Sequence, residues 1–218
     1  MTDLAVKQGV VIAVDGPSAA GKGTLARRLA ATLGLPYLDT GLLYRAVGRR
    51  VLDAGENPAD PVAAERAARD LRREDLERSG LRGPAADAAA SAVGAIPGVR
   101  AALLAFQRGF AAATGAVLDG RDIGTVIFPS APVKLFVTAA PEVRARRRWL
   151  ELRGKGTDVD LATVEREMRE RDARDSGRDA APLRAAPDAV VLETTALDAD
   201  AVYAAAMAAV RERLMNGA

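Results

Sequence analysis

The chain has 218 residues, enough for one well-buried core, and its hydrophobic content of 49% argues against a disordered protein. Cysteine and histidine are both absent, which excludes disulfides, thiolate metal sites and catalysis by an imidazole. The net charge is +2, and only four of the 31 basic residues are lysines. The chemistry left to the chain is that of carboxylates, lysine and arginine, which suits phosphoryl transfer.

The N-terminal part predicts two strand–helix units. Residues 9–14 form a short, β-branched apolar run, typical of a buried parallel strand. A glycine-rich turn follows, and residues 24–33 predict a helix that ends at a glycine. Residues 35–38 then predict a second strand, and residues 41–54 have helical periodicity.

The same alternation continues after a helix-rich middle stretch. Strands are predicted at residues 116–119, 133–137 and 189–192, and helices begin at Pro141 and at about Asp198. Strands that alternate with helices predict an α/β fold, a five-stranded parallel sheet with helices on both faces. No apolar run approaches the roughly 18 residues of a membrane span, so we expect a cytoplasmic protein that does not contact a membrane.

The turn after the first predicted strand has the spacing of a phosphate-binding loop. Its glycines would let backbone N–H groups and a helix N-terminus converge on a phosphate, and its lysine would add a positive charge. The alternative is a glycine-rich turn without a ligand. The predicted ATP-binding residues are Gly16, Pro17, Ser18, Ala19, Ala20, Gly21, Lys22, Gly23 and Thr24.

One position departs from the general motif. A serine or threonine usually follows the lysine and binds magnesium, but here Gly23 intervenes and Thr24 comes second. This form is similar to nucleotide kinases. We therefore expect Mg²⁺ to be held mainly through water and phosphate, with Thr24 and the strand-end residue Asp119 as candidate ligands. Asp119 has an equally simple structural role as a strand-end carboxylate.

Three further segments follow in a fixed order. They read LDTGLLYR at 38–45, LDGRDIGTVIFP with APVKLF at 118–136, and ERDARD at 170–175 with Arg178 and APL beyond. Together with the phosphate loop, they resemble the bacterial cytidylate kinases, which phosphorylate CMP and dCMP. The resemblance implies a P-loop kinase fold like that of adenylate kinase, with ATP and CMP or dCMP as substrates, Mg²⁺ as cofactor and a monomeric chain. We expect no nucleic-acid partner, because acidic residues alternate with the basic ones and aromatics are few.

The resemblance also implies roles for individual residues. Residues Thr40, Arg45 and Arg121 would contact the monophosphate, while Asp175 would hold the ribose hydroxyls. The cytosine edge would be read by Ser91, Arg100, Asp122 and Arg178. Charge in the transition state would be neutralised by Lys22, Arg171, Arg174 and Arg178.

The resemblance divides a single domain, residues 1–218, into three parts. The core would comprise residues 1–54, 96–152 and 161–218, with an NMP-binding insert at 55–95 and a small lid at 153–160. The insert departs from the family. Bacterial relatives carry a β-rich insert, whereas this one is short and has almost no β-branched pattern.

Several residues have simpler structural interpretations. Ser91 lies in an alanine-rich helix where serine is usually neutral, and Arg100 would suit a helix end. The arginines between 144 and 148 cover more than one helix face, so we expect most of them in solvent and one or two near ATP. Asp172 is expected to pair with a neighbouring arginine.

Other functions remain open at this point. A P-loop kinase for UMP, AMP, shikimate or dephospho-coenzyme A would share the donor site and differ in the acceptor wall. A nucleotide switch ATPase would lack an acceptor altogether. A nucleic-acid-binding protein is the third alternative, although aromatics make up only 4% of the chain.

Overall fold

The computed structural model describes residues 9–216, so residues 1–8 and 217–218 of the predicted domain lie outside the described part. The strands are β1 (Val11–Asp15), β2 (Tyr37–Asp39), β3 (Ala116–Gly120), β4 (Val133–Thr138) and β5 (Val190–Glu193). The helices are α1 (Lys22–Leu33), α2 (Thr40–Asp53), α3 (Pro61–Arg69), α4 (Pro84–Val93), α5 (Pro97–Ala111), α6 (Pro141–Gly154), α7 (Leu161–Ser176) and α8 (Ala199–Asn216).

The five strands form one parallel sheet in the order β2-β3-β1-β4-β5. This arrangement confirms the predicted sheet, and no strand end differs from its predicted position by more than two residues. Each strand ends at the same edge, so the turns after β1, β2 and β3 lie side by side. That edge is where we look for a ligand site.

Helices cover both faces of the sheet, so the central strand β1 is buried on both sides. Val11 and Ala13 of β1 pack with α2, α3 and α5 on one face, and the alternate residues Ile12 and Val14 pack with α1 and α8 on the other. The period of two follows from the pleat. A third, smaller apolar cluster joins α6 to α7 through Ala145, Leu152, Val164 and Met168.

The predicted insert is helical. Between residues 55 and 95 the chain forms α3, a 3₁₀ turn (Arg73–Glu77) and α4, and no strand. Alanine-rich sequence with few β-branched residues favours helix. α4 packs closely on α2, where Gly48 leaves only enough space for Ala89: a Cβ at Gly48 would lie 2.7 Å from that of Ala89.

The predicted lid at 153–160 coincides with the connection between α6 and α7. Trp149 donates its indole N–H to the Val159 carbonyl across it (2.9 Å). The side chain of Asp160 accepts the backbone N–H of Thr163 (2.7 Å) and so caps α7.

Within residues 9–216, no single helix combines the length and apolarity needed to cross a bilayer. Taken together, α4 and α5 meet the length and composition criteria, with a bend of 99° between them.

Candidate active site

The phosphate loop forms the turn between β1 and α1. Gly16 has φ +145°, and a Cβ there would lie 2.0 Å from the Val137 carbonyl oxygen, so only glycine fits. Gly21 precedes α1 with φ +96°, and Ala19 adopts φ +59°. A left-handed turn that leads into a helix N-terminus is an anion-binding arrangement.

Lys22 is the first residue of α1 and is buried beneath the loop. Its Nζ donates to the Pro17 carbonyl (2.7 Å). Burial, together with the positive charges of Arg121 and Arg171, lowers the pKa of Lys22 to about 7. A bound polyphosphate would favour the charged form of the amine.

The geometry around Gly23 explains its departure from the general motif. A Cβ at Gly23 would lie 3.2 Å from the Asp119 carboxylate oxygen Oδ2, and that oxygen accepts the Tyr37 hydroxyl (2.8 Å). A larger residue there would displace the carboxylate. Glycine after the lysine therefore brings Asp119 against the phosphate loop.

The residues beside the loop fit a magnesium ion bound chiefly through nucleotide phosphates. Among residues 9–216 there is no cluster of three carboxylates able to hold a metal. The Thr24 hydroxyl and the Asp119 carboxylate do face the same cavity. One or two protein oxygens completed by phosphate and water suit Mg²⁺.

A cavity of about 480 Å³ opens at the carboxyl edge of the sheet, between the phosphate loop, α4 and α7. This volume lies in the range of small-molecule sites. All eight predicted acceptor residues line it: Thr40, Arg45, Ser91, Arg100, Arg121, Asp122, Asp175 and Arg178. Lys22, Thr24, Asp119 and Arg171 line the same cavity.

Arginines converge on the end of the cavity nearest the phosphate loop. Arg45 donates to Asp39 (2.8 Å), Arg121 donates to Asp175 (2.9 Å), and Arg171 lies 3.5 Å from the Ser18 hydroxyl. Burial and the neighbouring Arg121 lower the pKa of Arg171 to about 10. This end of the cavity suits a phosphate.

Thr40 is buried, and its hydroxyl donates to the Asp119 carbonyl (2.7 Å). A donated bond from this hydroxyl to a phosphate requires it to give up that partner.

The other end of the cavity is a polar wall. Arg100 is ion-paired with Asp122 and also donates to the Gly94 carbonyl (3.1 Å). Its guanidinium lies 5.6 Å from the centre of the Tyr44 ring. Ser91 borders this wall from α4, so the wall presents hydroxyl, guanidinium and carboxylate groups together.

Asp175 links the two ends. Its carboxylate is almost completely buried and contacts Arg121, Arg178 and, at 4.0 Å, Arg171. Burial alone would raise the pKa of Asp175, but the three arginines lower it below its ordinary value.

A second cavity of about 320 Å³ lies on the far side of the phosphate loop. It is lined by the start of α1, the β5–α8 connection, the first turn of α8 and Arg147 of α6; the lining includes Arg28, Leu197, Val202 and Tyr203. The two cavities share Gly21, Thr24 and Arg147. One ligand can therefore reach from the second cavity across the loop into the first.

Comparison with known proteins matches residues 12–212 to the cytidylate kinase family model. The chain is 62% identical over 204 residues to the cytidylate kinase of Granulibacter bethesdensis, covering 94% of this chain and 98% of that one. It is 60% identical over 208 residues to that of Acidiphilium cryptum, covering 95% and 98%.

The chain belongs to the cytidylate kinase family. Solved structures agree at the level of fold. A gluconokinase from Sinorhizobium meliloti has a TM-score of 0.52 at 16% identity, with 97% of each chain covered. TT1252 from Thermus thermophilus has a TM-score of 0.50 at 23% identity, with 95% of this chain and 99% of that chain covered.

One residue expected from the cytidylate kinase resemblance stands apart from the cavity. Arg174 is exposed on α7, does not line the cavity, and donates to the Ser91 hydroxyl at 3.3 Å. It follows Arg171 by three positions, so the two project from adjacent parts of the helix surface. Of these two arginines, Arg171 reaches the phosphate end of the cavity and Arg174 does not.

The expectation that most arginines between 144 and 148 are solvated was wrong. Arg144 is buried, donates to the carbonyls of Ala139 (3.0 Å) and Ser18 (3.3 Å), and pairs with Asp172 (2.7 Å). Arg147 donates to the carbonyl of a residue in the β5–α8 connection (2.7 Å). Of the four arginines, only Arg146 is exposed. The expected pairing of Asp172 is confirmed.

Sequence reasoning missed Asp87 of α4. Its carboxylate pairs with Arg148 of α6 and lies 3.8 Å from Arg45 and 3.7 Å from Arg171. Asp87 precedes Ser91 by four residues, a spacing that places both on one helix face. The four-residue spacing to Ser91 is the sequence feature that could have placed Asp87 at the site.

Proposed function

We propose that this member of the cytidylate kinase family transfers the γ-phosphoryl group of ATP to CMP and dCMP, giving ADP with CDP or dCDP. One observation carries the proposal. Eight acceptor residues named from the family resemblance line a single cavity together with Lys22 and Thr24 of the phosphate loop. Donor and acceptor phosphates bound to these groups would face each other.

The polar wall suits cytosine. Cytosine presents an N4 amine that donates, next to N3 and O2 that accept. The Asp122 carboxylate would accept from the amine, and Arg100 or Ser91 would donate to the ring acceptors. UMP has a carbonyl in place of the amine and would leave a carboxylate facing an acceptor, a mismatch that discriminates strongly.

Transfer would need no general base, since the acceptor phosphate is already ionised at neutral pH. A phosphate oxygen of CMP attacks the γ-phosphorus in line, the bond to the β–γ bridging oxygen breaks, and the electrons leave with ADP. Lys22, Arg171 and Arg178 would neutralise the charge that spreads over the transferred group. Arg174 would join them only after α7 shifts.

Magnesium would be held by Thr24 and Asp119, directly or through water, with the remaining ligands from ATP and solvent. When bound, it neutralises charge on the transferred phosphates. The buried Asp119 has a raised pKa because of burial and the neighbouring Asp39, and Lys22 opposes that rise. A cation beside it would favour its ionised form.

The second cavity suits the base and ribose of ATP. Its wall is largely aliphatic and aromatic, with Arg147 and Arg28 at its rim and direct continuity to the phosphate loop. A purine would stack against such a surface while its phosphates lie on the loop.

Closure of the insert (55–95) and of the lid (153–160) would exclude water during transfer. The ion pair between Asp87 of α4 and Arg148 of α6 joins the insert to the core helix that leads into the lid. We further propose a cytoplasmic monomer that does not bind nucleic acid, since one chain supplies both halves of the cavity and the substrates are cytoplasmic nucleotides.

The test is ADP formation from ATP and Mg²⁺ with CMP, dCMP, UMP, AMP or no acceptor. We expect strong stimulation by CMP and dCMP, weak stimulation by UMP and none by AMP. Preference for another acceptor would leave the donor site standing and contradict the cytidine assignment. Turnover independent of acceptor would favour a switch ATPase.

The variant that tests the donor site is Lys22→Ala. We expect turnover to fall by about 100-fold or more, because a charge aimed at the transferred phosphate is lost, while circular dichroism and the melting transition remain those of a folded protein. Near-normal turnover would contradict the role of Lys22.

A further inference from the structure

Asp15 is a buried carboxylate for which the phosphoryl transfer above has no use. It ends β1, directly before Gly16, and its residue surface is 5% exposed. Both of its carboxylate oxygens accept backbone N–H groups, from Ile123 at 2.8 Å and from Gly124 at 2.8 Å. These donors lie more than 100 positions further along the chain.

A charge in this position costs stability. None of the ion pairs among residues 9–216 includes Asp15. Burial raises its pKa to about 6, against the lowering effect of the two N–H groups. An apolar side chain would avoid this penalty. The carboxylate therefore serves the segment that it binds.

That segment directly follows two residues of the proposed acceptor site, Arg121 and Asp122. Ile123–Ile127 form a short π-helical turn, in which the N–H groups of Val126, Ile127 and Phe128 bond back to the carbonyls of Asp122 and Ile123. The first N–H groups of such a turn have no acceptor inside it. Asp15 supplies that acceptor, immediately after Arg121 and Asp122.

Arg121 and Asp122 face opposite ends of the cavity. Arg121 reaches Asp175 beside the phosphate end, and Asp122 pairs with Arg100 on the polar wall. A shift of the backbone at 123–124 would move both side chains together. The phosphate loop on the other side of Asp15 has its own anchors, including the Lys22 bond to Pro17 and the Arg144 bond to Ser18.

We propose that Asp15 is a positioning residue for the acceptor: its two hydrogen bonds to Ile123 and Gly124 fix the backbone that aims Arg121 and Asp122, and thereby set the affinity for the nucleoside monophosphate. This inference rests on the proposed CMP kinase activity. It assigns to Asp15 no contact with either substrate.

The surroundings of Gly124, one of the two residues that donate to Asp15, also support this proposal. A Cβ at Gly124 would lie 3.1 Å from Lys134 Cδ and 3.4 Å from Asp15 Oδ2. The backbone of Gly124 therefore approaches the carboxylate and Lys134 as closely as a residue without a side chain permits. A methyl group there would be in ordinary contact with Asp15, but it would press on the Lys134 stem, whose amine is held by the Pro129 carbonyl and Asp188, and so would shift the turn.

The test is Asp15→Asn, which has the same shape but presents an N–H₂ group to one of the two N–H donors. We expect the KM for CMP to rise about tenfold, equivalent to the loss of one buried hydrogen bond, while the KM for ATP changes less than about twofold. Hydrogen exchange of a peptide spanning 116–128 should also become faster than in the wild type, with or without substrates.

The second variant is Gly124→Ala, which should raise the KM for CMP in the same way and which carries the test alone if Asp15→Asn does not fold. Gly109→Ala is the matched control for Gly124→Ala. Nothing lies within 4 Å of a Cβ at Gly109, and this residue of α5 does not line the cavity. The control should leave both KM values within about twofold.

An unchanged KM for CMP in both variants, or an equal rise for ATP and CMP, would overturn the proposal. Failure of the proposed function looks different: the wild-type protein itself would show no stimulation by CMP. In that case faster exchange at 116–128 in Asp15→Asn would still support the anchoring of this segment, and unchanged exchange would overturn it.

Discussion

Charged side chains at the site are held by neighbours rather than by solvent. Asp175 contacts three arginines, Asp87 lies near three, and Lys22 bonds to the loop that it follows. For side chains that are as buried as Lys22 and Asp175, such contacts set both orientation and ionisation. Burial, together with this crowding of positive charge, lowers the pKa of Lys22 to about 7 and that of Arg171 to about 10.

Asp15 predicts a pH dependence of stability. Its pKa is about 6 in the folded protein, against 3.8 ordinarily, because of burial and the nearby Asp122, with Lys22 opposing. Between pH 4 and pH 6 the folded state therefore holds a proton that the unfolded state has released, so the contribution of Asp15 to the free energy of unfolding falls as pH rises. A shift of this size corresponds to about 3 kcal/mol.

Denaturant unfolding of the wild type and of Asp15→Asn at pH 4, 5, 6, 7 and 8 measures this effect. The variant should gain about 2 kcal/mol relative to the wild type between pH 4 and pH 7, since its amide does not titrate. Subtracting the free energy of unfolding of the wild type from that of the variant at each pH cancels the contributions of the other titratable groups. A difference that stays constant over this range would contradict the raised pKa.

At the scale of elements, the helix pair α2–α4 positions the acceptor wall. α4 carries both Asp87 and Ser91, and α2 carries Arg45. Their close approach depends on Gly48, since a Cβ there would lie 2.7 Å from Ala89 Cβ and 3.0 Å from its carbonyl carbon. Backbone atoms are among the neighbours, so the contact cannot relax by rotating a side chain.

Gly48→Ala should therefore destabilise the protein by about 1–3 kcal/mol through overpacking and raise the KM for CMP, although alanine favours helix. Gly109→Ala in α5 is the matched control, because nothing lies within 4 Å of a Cβ at that position. It should stabilise by about 1 kcal/mol. Thermal unfolding and CMP kinetics of both variants measure this; equal effects of the two would contradict the packing argument.

At the scale of the whole molecule, ion pairs join parts that the sheet does not connect. Asp87 of the insert pairs with Arg148 of α6 and lies near Arg45 and Arg171. This one carboxylate therefore connects α4 to α2, α6 and α7. These arginines would otherwise repel one another. An anion at this place is therefore part of what holds the insert against α6 and α7.

Asp87→Asn should lower the free energy of unfolding by about 2 kcal/mol, since it leaves partly buried arginines without their counter-ion. Added sulfate should raise the melting temperature of this variant more than that of the wild type, because the anion can replace the carboxylate among the arginines. Asp188→Asn, which removes the partner of Lys134 near the amino ends of β4 and β5, controls for general effects of sulfate. An equal response of both variants would contradict the account.

The sequence alone determined the order of strands and helices, the phosphate loop and the family. These features are local: alternating apolar residues, glycines before a helix, and short segments read within a few positions of one another. The environments of the three buried or paired arginines at 144, 147 and 148, of Asp87 and of Asp15 were decided by the tertiary structure. Partners of these residues lie 47, 61, 108 and 126 positions away in Arg147–Thr194, Arg148–Asp87, Asp15–Ile123 and Arg144–Ser18. No periodicity along the chain reports which distant groups the sheet brings together, and burial of a charge depends on those groups.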